Sequence, residues 1–482
     1  MTGSLFEDLP EAADPGRSEG WTGEARVSRP DRRQVGWEMV DLDQLLAADH
    51  PARLVSAFVD SLNLSGLYGK IEARTHGPGR DAIAPELLLA LWLYATIDAV
   101  GSAREVARLC ERDLPYRWLC GGVGVNHHAL SDFRSAHVEE MDRLLTDSVT
   151  ALMADGLVSL QVLAHDSVKV RASAGAGSFR RSERLAALHA KAAHRVAILR
   201  AELDGAADAS VRRKAAARLK AQEALLEKVA MAQERARQLE KARARQRDKD
   251  RVDPATGKDK PVRASTTDPD ARILKMASGE SRPAYSLQIT ADPNTLVAVG
   301  VSVHDSTDFG QLGPALEQVE ARYGQFPKTA LADCGFCSKK DISFAHQRGV
   351  TAVIPSNRQA KLGDTAYATT YRHTMAGIAQ WRERMVQQAT KDLYKLRCRI
   401  ECIFGQMRNR GLRLLRLRGK HKVKGEALIH LLAHNMICAA RLRLRPAPPA
   451  PQRPAGGGSG ATLTGLRATL TTRIRALEPV PA

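Results

Sequence analysis

The stretch LVSLQVLAHDSVKV, Leu157–Val170, decides the fold class of this chain. Apolar and β-branched residues dominate it, which favours a strand with Asp166 near its end. Upstream of it, apolar side chains recur at spacings of three and four, as in amphipathic helices. The change of period therefore predicts that a helical domain ends here and that an α/β domain begins.

Four more strands are predicted downstream, at Ala284–Thr290, Leu296–Val303, Thr329–Ala332 and Val350–Ile354. Helices at Phe309–Tyr323 and Lys339–Gln347 separate the last three of them. Strands interleaved with helices indicate an α/β layer. The short Asp292–Asn294 turn predicts that part of the sheet is antiparallel.

The upstream part is predicted to be a small helical bundle, with helices at Leu54–Leu62, from Pro85, at Ser102–Cys110 and at Ser131–Leu145. Its arginines could belong to a helix-turn-helix that presents them to phosphates or base edges, or could decorate an ordinary helical surface. They are Arg104, Arg108, Arg112, Arg117 and Arg134.

A long basic insertion follows the first strand. Between Arg180 and Arg251 there are 20 Lys/Arg, 10 Asp/Glu and no Pro. Leucines, alanines and valines at spacings of three and four, interrupted at Asp204-Gly205, predict a helical hairpin. Its basic end, KARARQRDKDR, is a candidate DNA-backbone contact, although a solvated helical face has the same composition.

The totals point to a polyanionic partner. The 482 residues carry a formal charge of +18 with a sequence pI of about 9.8, so nucleic acid is the leading partner class. The longest apolar run, Leu87–Ile97, is too short to span a membrane. Since the start of the chain lacks a secretion signal and the seven cysteines form no regular framework, we expect a cytoplasmic protein with reduced thiols.

A late segment, DLYKLRCRIECIFGQMRNR, Asp392–Arg410, has the composition of a helix. Helical geometry would place four of its side chains near one face, namely Tyr394, Arg397, Glu401 and Arg408. A carboxylate flanked by cations suits a metal or a phosphate. A solvated face with ion pairs four residues apart is the alternative.

Three acids stand where chemistry is expected: Asp166 and Asp333 after apolar strands, and Glu401 on the late helix. Strand ends meet at one edge of a sheet, and a packed helix can add a third carboxylate. Such hard oxygen ligands suit Mg²⁺, and two ions could support an in-line phosphodiester displacement. Each aspartate alone could be a turn or helix cap, and Asp305 and Asp308 are further possible ligands.

Several blocks, in order, resemble the insertion-sequence transposases of the DDE type, in the branch numbered eleven-eighty-two. The similarity covers about residues 36–441. Its blocks are HPARLV, SAREVARLC, YRWLCGG, LSDFR, AHDSVKVRASA, STTDPDARILKMASGESRPAYSLQ, VHDSTDFGQL, LADCGF and YKLRCRIECIFGQMR. The last block resembles the family's Tyr, Arg, Glu, Lys signature, carried by Tyr394, Arg397 and Glu401, with Arg408 at the Lys position.

The resemblance implies a ribonuclease-H-like core in which Asp166, Asp333 and Glu401 hold two Mg²⁺ (or Mn²⁺) ions. It implies cutting at the terminal inverted repeats of a bacterial insertion sequence and joining of the 3′-hydroxyl ends to target DNA. Tyr394, Arg397 and Arg408 would contact DNA phosphates. A homo-oligomer acting on paired DNA ends at the nucleoid is implied as well, with no membrane partner.

The expected fold class is α/β, a ribonuclease-H-like catalytic core with an N-terminal all-helical domain and a long helical hairpin insertion. The expected parts are a disordered N-terminus at 1–35, a helical DNA-binding domain at 36–155, core segments at 156–178 and 263–441, the basic hairpin at 179–262 between the first two core strands, and a flexible tail at 442–482.

Two alternatives remain open from the sequence. One is a catalytically inactive, repurposed DNA-binding relative, against which the presence of all three acids argues. The other is a thiol-redox or zinc protein that uses the C-x-x-C pair Cys334 and Cys337, with Cys398 and Cys402 as further thiolates. A redox enzyme would leave the basic composition unexplained.

Overall fold

The structure is a computed structural model, and it describes residues 39, 41–71, 73, 81–205, 208–244, 261–304, 308–356 and 375–444. All elements below belong to one compact unit, Leu42–Ala482. The predicted disordered start at 1–35, Asp305, the hairpin's basic end from 245 and the tail from 445 lie outside the described residues. Within the described ranges, no helix is long and apolar enough to cross a membrane.

The N-terminal part is helical, as predicted. Its α-helices are α1 (Pro51–Asp60), α2 (Ser65–Gly69), α3 (Pro85–Ile97), α4 (Ala103–Arg112), α5 (Leu114–Cys120), α6 (His127–Ala136) and α7 (Val138–Ala154). Ser102 and Asn126 cap α4 and α6 by accepting hydrogen bonds from backbone N–H groups of the first turn. The single helix predicted at Ser131–Leu145 is wrong, because His137 leaves the helical conformation and divides it.

The sequence grouped Arg134 with four other arginines as candidate DNA contacts, but Arg134 is not available to a partner. It is buried, its guanidinium carbon lies 4.1 Å from the centre of the Trp92 ring, and it donates to the Gly101 carbonyl at 2.9 Å. It therefore stabilises the helical part from inside. By contrast, Arg104 and Arg112 are exposed.

The sheet is mixed. Its strands are β1 (Val162–Arg171), β4 (Arg272–Lys275), β5 (Ser281–Ala291), β6 (Ala298–His304), β7 (Thr329–Ala332) and β8 (Thr351–Val353), while β2 (Phe179–Arg180) and β3 (Ala264–Ser265) form a separate pair. The order is β4-β5-β1-β7-β8, and β6 shares an edge of β5 with β4. Pairs β1–β7 and β7–β8 are parallel, and the others are antiparallel. The α/β prediction and the antiparallel turn are confirmed.

Asp166 is not at the end of its strand, and that detail of the prediction was wrong. β1 continues for five residues beyond it to Arg171, because β5 pairs with β1 as far as Arg171 opposite Ala284. The parallel partner β7 ends earlier, since its last paired residue, Ala332, lies opposite His165. Asp166 therefore lies where the parallel part of the sheet stops.

The two connecting helices that follow the strands are α10 (Leu312–Tyr323) and α11 (Lys339–Gln347). The second agrees with its predicted range, and the first begins three residues late. The helical hairpin is also observed, as α8 (Ser182–Asp204) and α9 (Ala209–Ala244), packed against each other and broken where the Asp204-Gly205 pair predicts. It lies between β1 and β5 along the chain.

The late segment is not one continuous helix. α12 (Ile378–Val386) precedes it, and the segment itself consists of the end of α13 (Gln388–Tyr394), a 3₁₀ stretch at Lys395–Arg399 and α14 (Ile400–Asn409). The tighter winding at Lys395–Arg399 changes the angular spacing across the middle of the predicted face. The final helix, α15 (Lys420–Leu444), extends past residue 442, so the tail predicted at 442–482 begins inside it.

α15 is buried along most of its length and binds the sheet edge through polar side chains. Asn435 accepts a hydrogen bond from the Ala298 N–H at 2.9 Å and donates one to the Ala298 carbonyl at 2.7 Å. The His434 ring is 2.8 Å from the Leu296 carbonyl. Buried backbone groups outside the strand ladder thus acquire partners.

Buried histidines predict how stability depends on pH. Burial lowers the pKa of His434 to about 4 and of His165 to about 4. The unfolded chain binds these protons near pH 6.5, whereas the folded protein does not until about pH 4. The unfolded state therefore binds more protons in this window, and the free energy of unfolding should fall as pH decreases through it.

Urea unfolding at several pH values measures this dependence. His434→Gln should reduce the slope by up to about 1.4 kcal/mol per pH unit, because one proton fewer is taken up on unfolding. The exposed His194→Gln is the matched control and should leave the slope as in the wild type. A His434→Gln profile that overlays the wild-type profile would contradict this account.

Candidate active site

Asp166 lies on β1, and Asp333 lies beside it, directly after the neighbouring strand β7. In the parallel β1–β7 pair, His165 is opposite Ala332, so Asp166 and Asp333 each come one residue beyond the last paired position. Asp333 caps the 3₁₀ turn Cys334–Phe336 by accepting a hydrogen bond from the Gly335 N–H at 2.8 Å. Asp333 therefore caps a turn and also lies at the candidate site.

Asp166 is the buried member of the pair, with 9% of the residue exposed. Burial raises its pKa to about 6, and the negative charges of Asp333 and Glu401 act in the same direction. The Ser167 N–H, 2.7 Å from Oδ1, and the Arg397 guanidinium oppose this shift. Asp333 and Glu401 are thus both close enough to influence Asp166 electrostatically.

Arg397 joins the late helix to the central strand. Its Nη1 donates to Asp166 Oδ2 at 2.7 Å, and its Nη2 donates to Glu401 Oε1 at 3.1 Å. The Arg397 and Asp166 side chains are 17% and 12% exposed, whereas that of Glu401 is 60% exposed. The sequence predicted Arg397 as a phosphate contact, but in this structure its partners are two of the three acids.

The other two members of the predicted face lie around this ion pair. Tyr394 is half-buried, its ring centre is 5.9 Å from the Arg397 guanidinium carbon, and burial raises its pKa. It therefore stays a neutral phenol. Arg408 is exposed and lines a cavity together with Asp166 and Asp333. It is one of several cations that line this cavity.

This cavity has a volume of about 600 Å³ and combines acids with cations. Besides Asp166 and Asp333 it is lined by Asp308, whose Oδ1 is 3.4 Å from the amide nitrogen of the buried Gln288, and by Glu280, which pairs with Arg282 at 2.6 Å. The cations that line it are Lys169, Arg171, Lys275, Arg282, Arg408 and Arg413. Such a rim attracts a phosphate backbone toward the carboxylates.

Buried carboxylates that the sequence did not single out hold α14 against β1. The connector after α14 pairs with the end of β1, where the Leu415 N–H donates to the Arg171 carbonyl at 2.8 Å. Glu426, in α15, accepts hydrogen bonds from the Arg416 and Leu417 N–H groups, each at 3.0 Å. Nothing in the local sequence marks this role, because donor and acceptor meet only through the fold.

Asp268 fixes the far end of the same connector. It is fully buried, accepts a hydrogen bond from the Tyr285 hydroxyl at 2.6 Å and accepts another from the Gly419 N–H at 3.1 Å. Tyr285 belongs to β5, so the connector is tied to the sheet at both ends. The position of Glu401 relative to Asp166 thus depends on two carboxylates outside the site.

The cysteine alternative finds no support in the described geometry. All seven cysteines are free thiols. Burial raises the pKa of Cys337 to about 11, the opposite of what a reactive or zinc-bound thiolate needs. Among the described residues, no group of three or more His, Cys, Asp or Glu side chains is placed to hold a metal ion.

The acids nevertheless fit a divalent cation by their chemistry. Asp166, Asp333 and Glu401 offer hard carboxylate oxygens, the ligand type that Mg²⁺ prefers. A cationic group already lies between two of them, since the Arg397 guanidinium contacts both Asp166 and Glu401. The set is therefore suited to positive charge, although its oxygens are engaged by a side chain.

The mixed sheet, with Asp166 on its central strand β1 and Asp333 directly after β7, is a ribonuclease-H-like core. Residues 254–436 match the family model of the transposase DDE domain, and residues 40–136 match that of a transposase domain (DUF772). The chain belongs to the insertion-sequence DDE transposases. No curated protein and no solved structure matches it.

The DDE match contains Asp333 and Glu401 but begins after Asp166. The long hairpin separates β1 from the rest of the sheet along the chain. Strand pairing restores the connection, because β1 lies between β5 and β7. Asp166 thus joins the other two acids through topology alone.

Replacing Glu426 should loosen the connector. Glu426→Ala leaves two backbone N–H groups without their carboxylate acceptor and removes the negative charge that acts on buried Arg134. We expect a loss of about 3 kcal/mol in the free energy of unfolding by urea. The exposed Glu320→Ala control should change it by less than about 0.5 kcal/mol. Equal effects of the two substitutions would contradict the anchoring role.

Proposed function

We propose that this transposase cuts DNA at the terminal inverted repeats of its insertion sequence and joins the resulting 3′-hydroxyl ends to target DNA. The observation that carries the proposal is the placement of Asp166 beside Asp333, with Glu401 tied to Asp166 through Arg397, at a cavity rimmed by cations. Carboxylates inside a basic rim suit metal-assisted phosphodiester chemistry.

In this mechanism Asp166, Asp333 and Glu401 would hold two divalent ions, either Mg²⁺ or Mn²⁺. Bound there, the metal would activate a hydroxyl nucleophile and stabilise the leaving oxygen. The protein's own residues bind and orient the substrate. Arg408, exposed beside the acids, would contact the phosphodiester, and half-buried Tyr394 would pack beside Arg397.

DNA contacts would extend beyond the catalytic cavity. We assign residues 36–155 to DNA binding, with exposed Arg104 and Arg112 on α4 as contacts. The segments 156–178 and 263–441 would form the catalytic core, with 179–262 as an inserted DNA clamp. We further propose that a homo-oligomer of this protein holds the two ends of the insertion sequence together.

The three acids supply the direct test. Asp166→Asn, Asp333→Asn and Glu401→Gln should each reduce nicking at terminal-repeat ends in Mg²⁺ by about 1,000-fold or more, since each removes a metal-ligating charge. Gel-resolved cleavage of labelled duplexes measures the rate, and a gel-shift assay should show DNA binding retained. Glu320→Gln is the exposed acidic control.

Wild-type-like nicking by Asp166→Asn would remove that acid from the proposed mechanism. A wild-type protein that binds repeat ends in Mg²⁺ or Mn²⁺ without cleaving them would favour the inactive, repurposed DNA-binding alternative. The two outcomes are separable, because the first leaves cleavage intact and the second abolishes it for every variant.

The start of α9 presents three consecutive exposed cations, Arg212, Arg213 and Lys214. If the hairpin clamps DNA, replacing all three by Gln should reduce the slope of log K against log salt by up to about 2.7, at about 0.9 per lost phosphate contact. Fluorescence anisotropy at several salt concentrations measures the slope.

Lys328→Gln is the control for the clamp. Lys328 is exposed and lies just before β7, whereas Asp333 lies at the other end of that strand. We expect its salt dependence to equal that of the wild type. A triple α9 variant with an unchanged slope would show that the hairpin does not contact the DNA backbone.

A further inference from the structure

Arg397 uses both arms of its guanidinium on the acids. Nη1 contacts Asp166 Oδ2 at 2.7 Å, and Nη2 contacts Glu401 Oε1 at 3.1 Å. Its side chain is only 17% exposed, so water screens the contact with Asp166 less than a surface pair. Two of the carboxylate oxygens proposed as ligands of a divalent ion, one from Asp166 and one from Glu401, are therefore engaged by a positive charge.

A guanidinium cannot give way by losing its proton, because arginine stays protonated in proteins. For the buried Asp166 Oδ2 to ligate a metal at short range, Arg397 has to give up its contact with that oxygen. It lies in the 3₁₀ stretch Lys395–Arg399, between α13 and α14. A short 3₁₀ interruption within a helical run often marks a hinge, so this stretch is where the backbone would change its winding.

A DNA phosphate is the alternative partner for Arg397. Arginine forms two parallel hydrogen bonds with a phosphate as readily as with a carboxylate. The cavity that contains Asp166 is lined by cations, among them Lys169 and Arg408, which would draw a phosphodiester toward the Asp166 carboxylate. A bound phosphate there would offer Arg397 a partner in place of the two acids.

We propose that Arg397 is a positioning residue that couples divalent-metal binding to DNA binding. Without DNA it holds Asp166 and Glu401 and opposes metal binding; with DNA it turns to the phosphate and frees both oxygens. The inference rests on the proposed function, because it requires that these acids are the metal ligands. Coupling of this kind is reciprocal, so metal should raise the affinity for DNA by the same factor.

The test measures Mn²⁺ affinity by the electron paramagnetic resonance signal of free Mn²⁺, with and without a saturating short terminal-repeat duplex. Mn²⁺ bound to the duplex alone is subtracted, using Asp166→Asn/Asp333→Asn as the protein background. For the wild type we expect DNA to raise the Mn²⁺ affinity by about 5- to 150-fold.

Arg397→Gln should bind Mn²⁺ without DNA about as tightly as the wild type does with DNA, and DNA should then add little. Arg397→Lys keeps the charge but not the two-armed contact, so its coupling should be intermediate. Lys275→Gln is the matched control, since it removes an exposed cation from the same cavity and should retain the coupling. Thermal unfolding of each variant checks that the fold is kept.

Wild-type coupling in Arg397→Gln would overturn the proposal, as would an equal gain in affinity for Arg397→Gln and Lys275→Gln, which would indicate a general charge effect. In either case, Mg²⁺-dependent nicking that requires Asp166 would leave the proposed function standing. Unaltered Mn²⁺ binding by Asp166→Asn/Asp333→Asn would instead contradict the proposed function itself.

Discussion

The candidate site depends on the double pairing of β1. One edge of this strand pairs with the antiparallel β5 over its last eight residues, and the other pairs with the parallel β7 over its first four. Because β7 stops at Ala332, Asp166 keeps regular strand geometry through β5 while its other edge opens. A carboxylate is thereby held rigidly at a position that a ligand can approach.

The same constraint explains why a long hairpin can be inserted without loss of the site. α8 and α9 pack mainly on each other, and the strand pair β2–β3 closes the base of the hairpin. The register of β1 with β5 is fixed by eight paired positions, so the chain between them can be long at modest entropic cost. The basic residues of the hairpin are therefore not needed to hold the sheet together and can serve a different role.

The sequence predicted what local periodicity controls. The alternation of strands with helices, the hairpin break at Asp204-Gly205 and the helix Lys339–Gln347 all follow from short-range patterns. It failed where tertiary contacts decide. The extension of β1 past Asp166 depends on a partner strand, and the 3₁₀ stretch before α14 breaks a sequence that has helical composition throughout.

For the site, the sequence predicted residue types but not their partners. Arg397 was placed correctly near Glu401, four residues away, yet its shorter contact is with Asp166, which lies 231 residues earlier. No spacing rule reaches that far. Likewise Asp268 and Glu426 resemble ordinary surface acids in the sequence, and only their burial against backbone N–H groups reveals that they position α14.

The pairing of Arg397 with Asp166 also matters when no substrate is bound. Several carboxylates beside one another repel, and burial adds to the cost of charging Asp166. Arg397 relieves part of this cost from within the chain, so the fold does not depend on a bound metal to hold Asp166 in place. Arg397 compensates the charge of the acids when no substrate is bound. For the same reason, it is the side chain that would release them when a phosphate binds.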